Sequence, residues 1–160
     1  MAYQALENYP ARTELPRWLV VGFVSGAASV LVFHQGAAAL LYALELTTRA
    51  PYSMQPTSPL GVPQIWSIAF WGGVWGAILA ATFGRLDGAR LLAAALVFGA
   101  VFPTLVAWFI VFPMKGMPVG NGWQPASMLT GVLVNGAWGI GTAFFLNRLP
   151  GALRNSRGNM

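Results

Sequence analysis

The chain has 160 residues, 56% of them hydrophobic and 8% charged, with a net charge of +5 and a mean hydropathy of +0.60. A water-soluble domain carries about a quarter of its residues as charges, so this composition excludes a soluble globular fold and indicates a single integral membrane domain. There is no cysteine, which removes disulfides, iron–sulfur clusters and thiolate metal sites.

Residues 1–17 hold polar groups, prolines and mixed charge, and read as a cytoplasmic N-terminal arm. The first apolar span follows at 18–44, between Arg17 and the pair Glu45 and Arg49. It is too long for a cleaved signal peptide, and the arm before it is not a short basic n-region. A proline-rich outer loop, TTRAPYSMQPTSPLG, leads to the second span at 62–83. Arg85, Asp87 and Arg90 mark a tight turn before the third span at 91–112, and the loop PMKGMPVGNGWQP precedes the fourth at 126–146. The tail at 148–160 is short and basic. Each span is long enough, at about 1.5 Å per helical residue, to cross a hydrocarbon core of about 30 Å. The expected fold is all-α: a four-transmembrane-helix bundle over residues 18–147.

Charge sets the expected topology. Arg12, Arg17, Arg85, Arg90, Arg148, Arg154 and Arg157 fall on one side, and only Arg49 and Lys115 on the other. Basic loops stay in the cytoplasm, so both termini are expected there. This asymmetry also accounts for the pI near 10.5 without nucleic acid. High alanine, glycine and arginine usage suggests a bacterial inner membrane.

The second and fourth spans resemble one another. With a shift of 63 residues, GVWGAILAATFGRLDGA from Gly73 overlays GAWGIGTAFFLNRLPGA from Gly136 with eight of seventeen positions identical. This suggests a duplicated helical hairpin, a parallel repeat, with Gly36 over Gly99 the main coincidence between the first and third spans. Small residues also recur at helix-contact spacing: Gly22 and Gly26, Gly72 and Gly76, Ala95 and Gly99, then Ala137 and Gly141, with Gly136 and Gly139 also candidate packing residues. Inside lipid, where helices gain nothing by hiding apolar surface from water, close approach over small residues supplies the packing.

Four polar residues interrupt the apolar runs. His34 and Gln35 lie well inside the first span, Asn135 sits at similar depth in the fourth, and Thr104 follows Pro103 in the third. Pro103 is expected to break its helix and leave the Gly99 carbonyl without a donor. The four are expected to form one polar layer near the midplane. Such residues face protein or water, and three uses fit them: cross-helix hydrogen bonds, a proton or ion path past His34, or an axial histidine for a haem or chlorophyll-type pigment. Trp18, Trp66 and Trp123 fall near span ends, whereas Trp71, Trp75 and Trp138 lie within spans. The latter three read as packing over glycines, or as an aromatic wall for a quinone, pigment or lipid tail.

Catalytic patterns are missing, and the four acids, Glu7, Glu14, Glu45 and Asp87, all belong at or beyond the interfaces. The expectation is therefore not an enzyme but a small accessory or structural subunit of a larger membrane complex. Its partners would be lipid and other subunits, or further copies of itself. The alternatives are a small oligomeric transporter or channel with a polar path past His34, and a pigment-, haem- or quinone-contacting protein with His34 as the cofactor residue. The sequence requires no metal and no cofactor.

Overall fold

The computed structural model describes residues 14–148, and side-chain environments from Arg17 onward. The arm before residue 14 and the tail after 148 lie outside the described residues. Four helices are long and apolar enough to cross a membrane. Helix α1 comprises Glu14–Ser29, a wider π-turn at Val30–His34, and Gln35–Ala43. Helix α2 is Gln64–Phe83. Helix α3 comprises Gly88–Val106, a π-turn at Ala107–Val111, and Phe112–Met114. Helix α4 is Pro125–Arg148. Two two-residue strands, β1 (Pro56–Thr57) and β2 (Val62–Pro63), pair antiparallel in the first long loop.

Glycine decides which helices pair. A Cβ at Gly22 would stand 2.6 Å from the Gly76 carbonyl oxygen, and one at Gly26 would run into the Gly72 carbonyl oxygen. Gly76 in turn faces the Gly22 carbonyl oxygen and the Gly26 Cα. At Gly22, Gly26 and Gly76 no side chain fits between α1 and α2, and their backbones touch. The second hairpin repeats the device. Gly139 lies against the Ala95 carbonyl oxygen and the Gly99 Cα, and Gly99 lies against the Asn135 carbonyl oxygen. Gly136 is looser, with the Leu96 Cδ1 at 3.2 Å from a Cβ built there. Close backbone approach of this kind is the main source of helix association in lipid.

The glycine at Gly36 plays no such part. Nothing lies within 4 Å of a Cβ built on it, so its match to Gly99 in the sequence is not a match in packing. The residue that stands against α2 as Gly99 stands against α4 is Gly26. The π-turn at Val30–His34 separates Gly36 from that contact.

The two hairpins meet where α1 crosses α4. From Gly26 through Ser29 to Phe33 on α1, the partners on α4 advance from Trp138 through Gly141 to Phe144 and Phe145. These contacts join the two hairpins. Phe33 makes this possible by seating its ring on Gly141, with the Phe144 and Phe145 rings 5.8 and 5.9 Å away between centroids. The core under the crossing holds Val30, Ala69, Leu79, Ala95, Phe98, Trp138 and Leu146.

Pro103 does not break α3. The helix runs through it, and the π-turn begins four residues later at Ala107. A proline removes one backbone donor, but α4 braces this stretch closely on both sides of Gly99, and membrane helices tolerate the loss under such packing.

Candidate functional site

Three groups of polar side chains occupy the membrane-spanning region. The deepest sits on the crossing of the hairpins and centres on Trp138, which is 2% exposed. Its indole N–H donates to the Gly26 carbonyl at 2.9 Å. Its own carbonyl accepts from the Ser29 hydroxyl at 2.6 Å and from the Thr142 hydroxyl at 2.9 Å. One turn before Ser29, the Ser25 hydroxyl is fully buried with no hydrogen-bond partner. A buried indole needs an acceptor, and the tight α1–α2 contact leaves the Gly26 carbonyl accessible to one from the side. Ser29 is legible in the sequence as part of the small-residue stripe of the first span and Thr142 as a neighbour of Trp138 on one face of the fourth, whereas Ser25 merges into the glycine- and alanine-rich pattern.

The second group joins α3 to α4. The Asn135 side-chain amide donates to the Thr104 hydroxyl at 2.9 Å, and that hydroxyl donates to the Gly131 carbonyl at 3.4 Å. The third group belongs to α1 and the first outer loop. Gln35, 5% exposed, accepts the Tyr52 backbone N–H on its Oε1 at 2.6 Å. Its Nε2 faces His34 Nδ1 at 3.3 Å. The Tyr52 hydroxyl donates to the Leu31 carbonyl at 2.9 Å, inside the π-turn. A π-turn widens the backbone ladder, with Gln35 N–H reaching back to the Val30 carbonyl, and such turns expose carbonyls to outside donors. Tyr52 takes up a left-handed backbone, φ 51°, which costs a non-glycine residue about 1 kcal/mol, and its two bonds hold it there.

His34, Gln35, Thr104 and Asn135 thus form two separate pairs rather than one layer. Thr104 and Asn135 sit within their helices, far from either end. His34 and Gln35 lie beside the first turn of α2, because Tyr52 and Ser53 bridge the two: Ile65 N–H donates to the Ser53 carbonyl at 3.0 Å. Residues Gln35–Ala43 of α1 extend past the start of α2. The His34 pair therefore sits beside the start of α2, next to the first outer loop. No residue pattern marks the outer loop as folding back against α1.

The arrangement also assigns the His34 tautomer. The Tyr52 backbone N–H can only donate, so it fixes Oε1 of Gln35 on its side and turns Nε2 toward His34. That amide nitrogen can only donate, so Nδ1 accepts and the proton sits on Nε2. A haem or pigment metal needs a lone pair on the ligating nitrogen. Ligation through Nε2 would place an N–H on Nδ1 against the Gln35 amide donors. The geometry therefore favours His34 as a hydrogen-bond donor over an axial ligand. Among the described residues, no three His, Asp or Glu side chains come together as a metal-ligand set.

The aromatic residues separate as well. Trp75 is half-buried and meets Phe98 edge to face at 5.8 Å. Trp71 is 56% exposed and packs only edge-on to Phe70 at 5.6 Å; it faces outward and covers no glycine. In the second outer loop Trp123, again with left-handed backbone at φ 57°, packs against Trp108 and Phe109 of the α3 π-turn. No family model, no curated protein and no solved structure matches this chain.

Proposed function

We propose that this protein is a small, non-enzymatic accessory subunit of a larger membrane assembly in a bacterial inner membrane. The observation that carries this is the division of its surfaces. The glycine faces are used up inside each hairpin, and the Trp138, Thr104–Asn135 and Gln35–Tyr52 groups are spent on intramolecular hydrogen bonds. What remains outward is apolar, most of all on α3, the most hydrophobic and least buried of the four helices. Its exposed side includes Val97, Val101, Phe102, Leu105 and Phe109. The partner-facing surface is therefore α3 rather than the glycine stripes. The seven-to-two split of basic residues supports both termini lying in the cytoplasm.

The chain is further read as a duplicated hairpin. Gly76 and Gly139, 63 residues apart, do the same work against α1 and α3. Tyr52 and Trp123 each lay a left-handed aromatic residue on the π-turn of the preceding helix. On this packing the odd helices correspond through Gly22 with Ala95 and Gly26 with Gly99, a shift of 73.

The test is a photo-crosslinking residue placed at Val101 or Leu105 in the native membrane. The expected result is a discrete adduct with another membrane protein from these positions, and none from Val24 on α1. Crosslinks to lipid alone from every position would remove the proposal.

A further inference from the structure

The π-turn of α1 decides which of the neighbours His34 and Gln35 is turned inward. Val30 is buried and packs on Gly72 of α2. In a continuous α-helix the residue four positions on, His34, would share its face. The wider turn counts five positions instead, so Gln35 is buried there and His34 only half-buried. The backbone bonds follow the same count. An α-helix would pair the Gln35 N–H with the Leu31 carbonyl. Here that N–H goes to Val30, and the Leu31 carbonyl accepts the Tyr52 hydroxyl at 2.9 Å. The Tyr52 N–H completes the seat on Gln35 Oε1, and the next residue, Ser53, is tied to the first turn of α2 through the Ile65 N–H at 3.0 Å.

The segment beyond the turn fits two registers. It reads Gly36, Ala37, Ala38, Ala39, Leu40, Leu41. Closing the π-turn to an α-turn would move each residue into the place of the one after it, a rotation of about 100°. Leu40, 61% exposed, would replace Leu41, 8% exposed, one leucine for another. Ala37 and Ala38 would replace Ala38 and Ala39, and His34 would replace Gln35, one hydrogen-bonding side chain for another. Phe33, seated on Gly141 beside the Phe144 and Phe145 rings, anchors the near side of the turn, so the rotation falls on the residues after it. A carbonyl without a donor is costly inside a membrane. The π-turn is therefore favoured while the Tyr52 hydroxyl serves Leu31, and the α-turn, which returns the Gln35 N–H to Leu31, once it does not. We propose that the first outer loop is a register lock on α1: with Tyr52 seated, Gln35 and Leu41 face inward, and with Tyr52 withdrawn the helix closes and His34 and Leu40 take their places. Whatever draws this loop away from α1 thus turns the outer end of the helix.

The chain has no cysteine, so single cysteines can carry a nitroxide label. The experiment reconstitutes the full chain in phosphatidylcholine vesicles with the label at Leu40→Cys, at Leu41→Cys or, as a control on the near side of the turn, at Val24→Cys. Oxygen accessibility of each label is read by electron paramagnetic resonance, with Tyr52 intact and with Tyr52→Phe, which removes only the hydroxyl. With Tyr52 intact the label at 40 should be the accessible one and the label at 41 the shielded one. In Tyr52→Phe their order should reverse, while the label at Val24 keeps its value. If Leu41→Cys does not fold by circular dichroism, Gly36→Cys replaces it, since that position meets open space; its label should lose accessibility together with the one at 40. An order unchanged by Tyr52→Phe overturns the proposal. So does a gain in accessibility and mobility at every labelled position beyond Phe33, which would mean that the end of α1 frays rather than turns.

Discussion

The two hairpins are closed by the same contact and finished by different chemistry. In α1–α2 as in α3–α4, a glycine on the second helix presses on a carbonyl of the first, Gly76 on Gly22 and Gly139 on Ala95. Their polar residues diverge. Thr104 and Asn135 bond helix to helix in the interior of the second hairpin, whereas Gln35, paired with His34, accepts from a loop at the rim of the first. Small residues thus set how helices approach, and polar residues then act on whatever lies next to them, helix or loop. A polar side chain in an apolar run marks a place where a hydrogen bond is made, but not with which element.

The glycine contacts admit the largest test. Gly76→Leu and Gly139→Leu each force a side chain into backbone, and overpacking of this kind costs about 3 kcal/mol or more when neither wall can yield. Both variants should lose the cooperative melt seen by circular dichroism in detergent. If one is tolerated and the other not, the two hairpins are not closed alike. Next comes Trp138, which belongs to neither hairpin alone. Trp138→Ala should cost about 3 kcal/mol through the cavity, and Trp138→Phe about 1 kcal/mol through the hydrogen bond to Gly26, measured by unfolding in mixed micelles. Asn135→Leu should cost only about 0.6 kcal/mol, the usual worth of a cross-helix hydrogen bond in a membrane protein. A double-mutant cycle with Thr104→Val should show the two changes to be non-additive. Gln35→Leu should barely alter global unfolding while speeding hydrogen exchange at the Tyr52 amide, and a global loss as large as that of Trp138→Ala would erase the distinction between rim and interior. The smallest effect belongs to Gly36→Leu, which meets open space and should leave the melt unchanged.

Much of this was legible in the chain. The four spans differ from the helices by a few residues at each end, because long apolar runs bounded by charges leave little freedom. Gly22, Gly26, Gly72 and Gly76 announced a close helix pair by spacing alone, and Asn135 does meet Thr104. Partner identity was harder to read. Trp71 and Trp75 are four residues apart, yet one faces outward and the other packs on Phe98, a difference set by the tertiary position of α3. The π-turns left no trace in composition, and without them the face of α1 beyond Val30 is misplaced; Gly36 is the result. Tyr52 was invisible as a site residue because a loop has no period from which to infer its contacts.

The most direct measurement of the central claim is native mass spectrometry of the protein extracted gently from its own membrane at natural expression level. An accessory subunit predicts a heteromeric mass that contains this chain with larger membrane proteins, and loss of that mass when Val101 and Leu105 on α3 are changed to bulky polar residues. A monomer or a homo-oligomer carrying only lipid, under conditions that preserve other complexes of the same membrane, would contradict it.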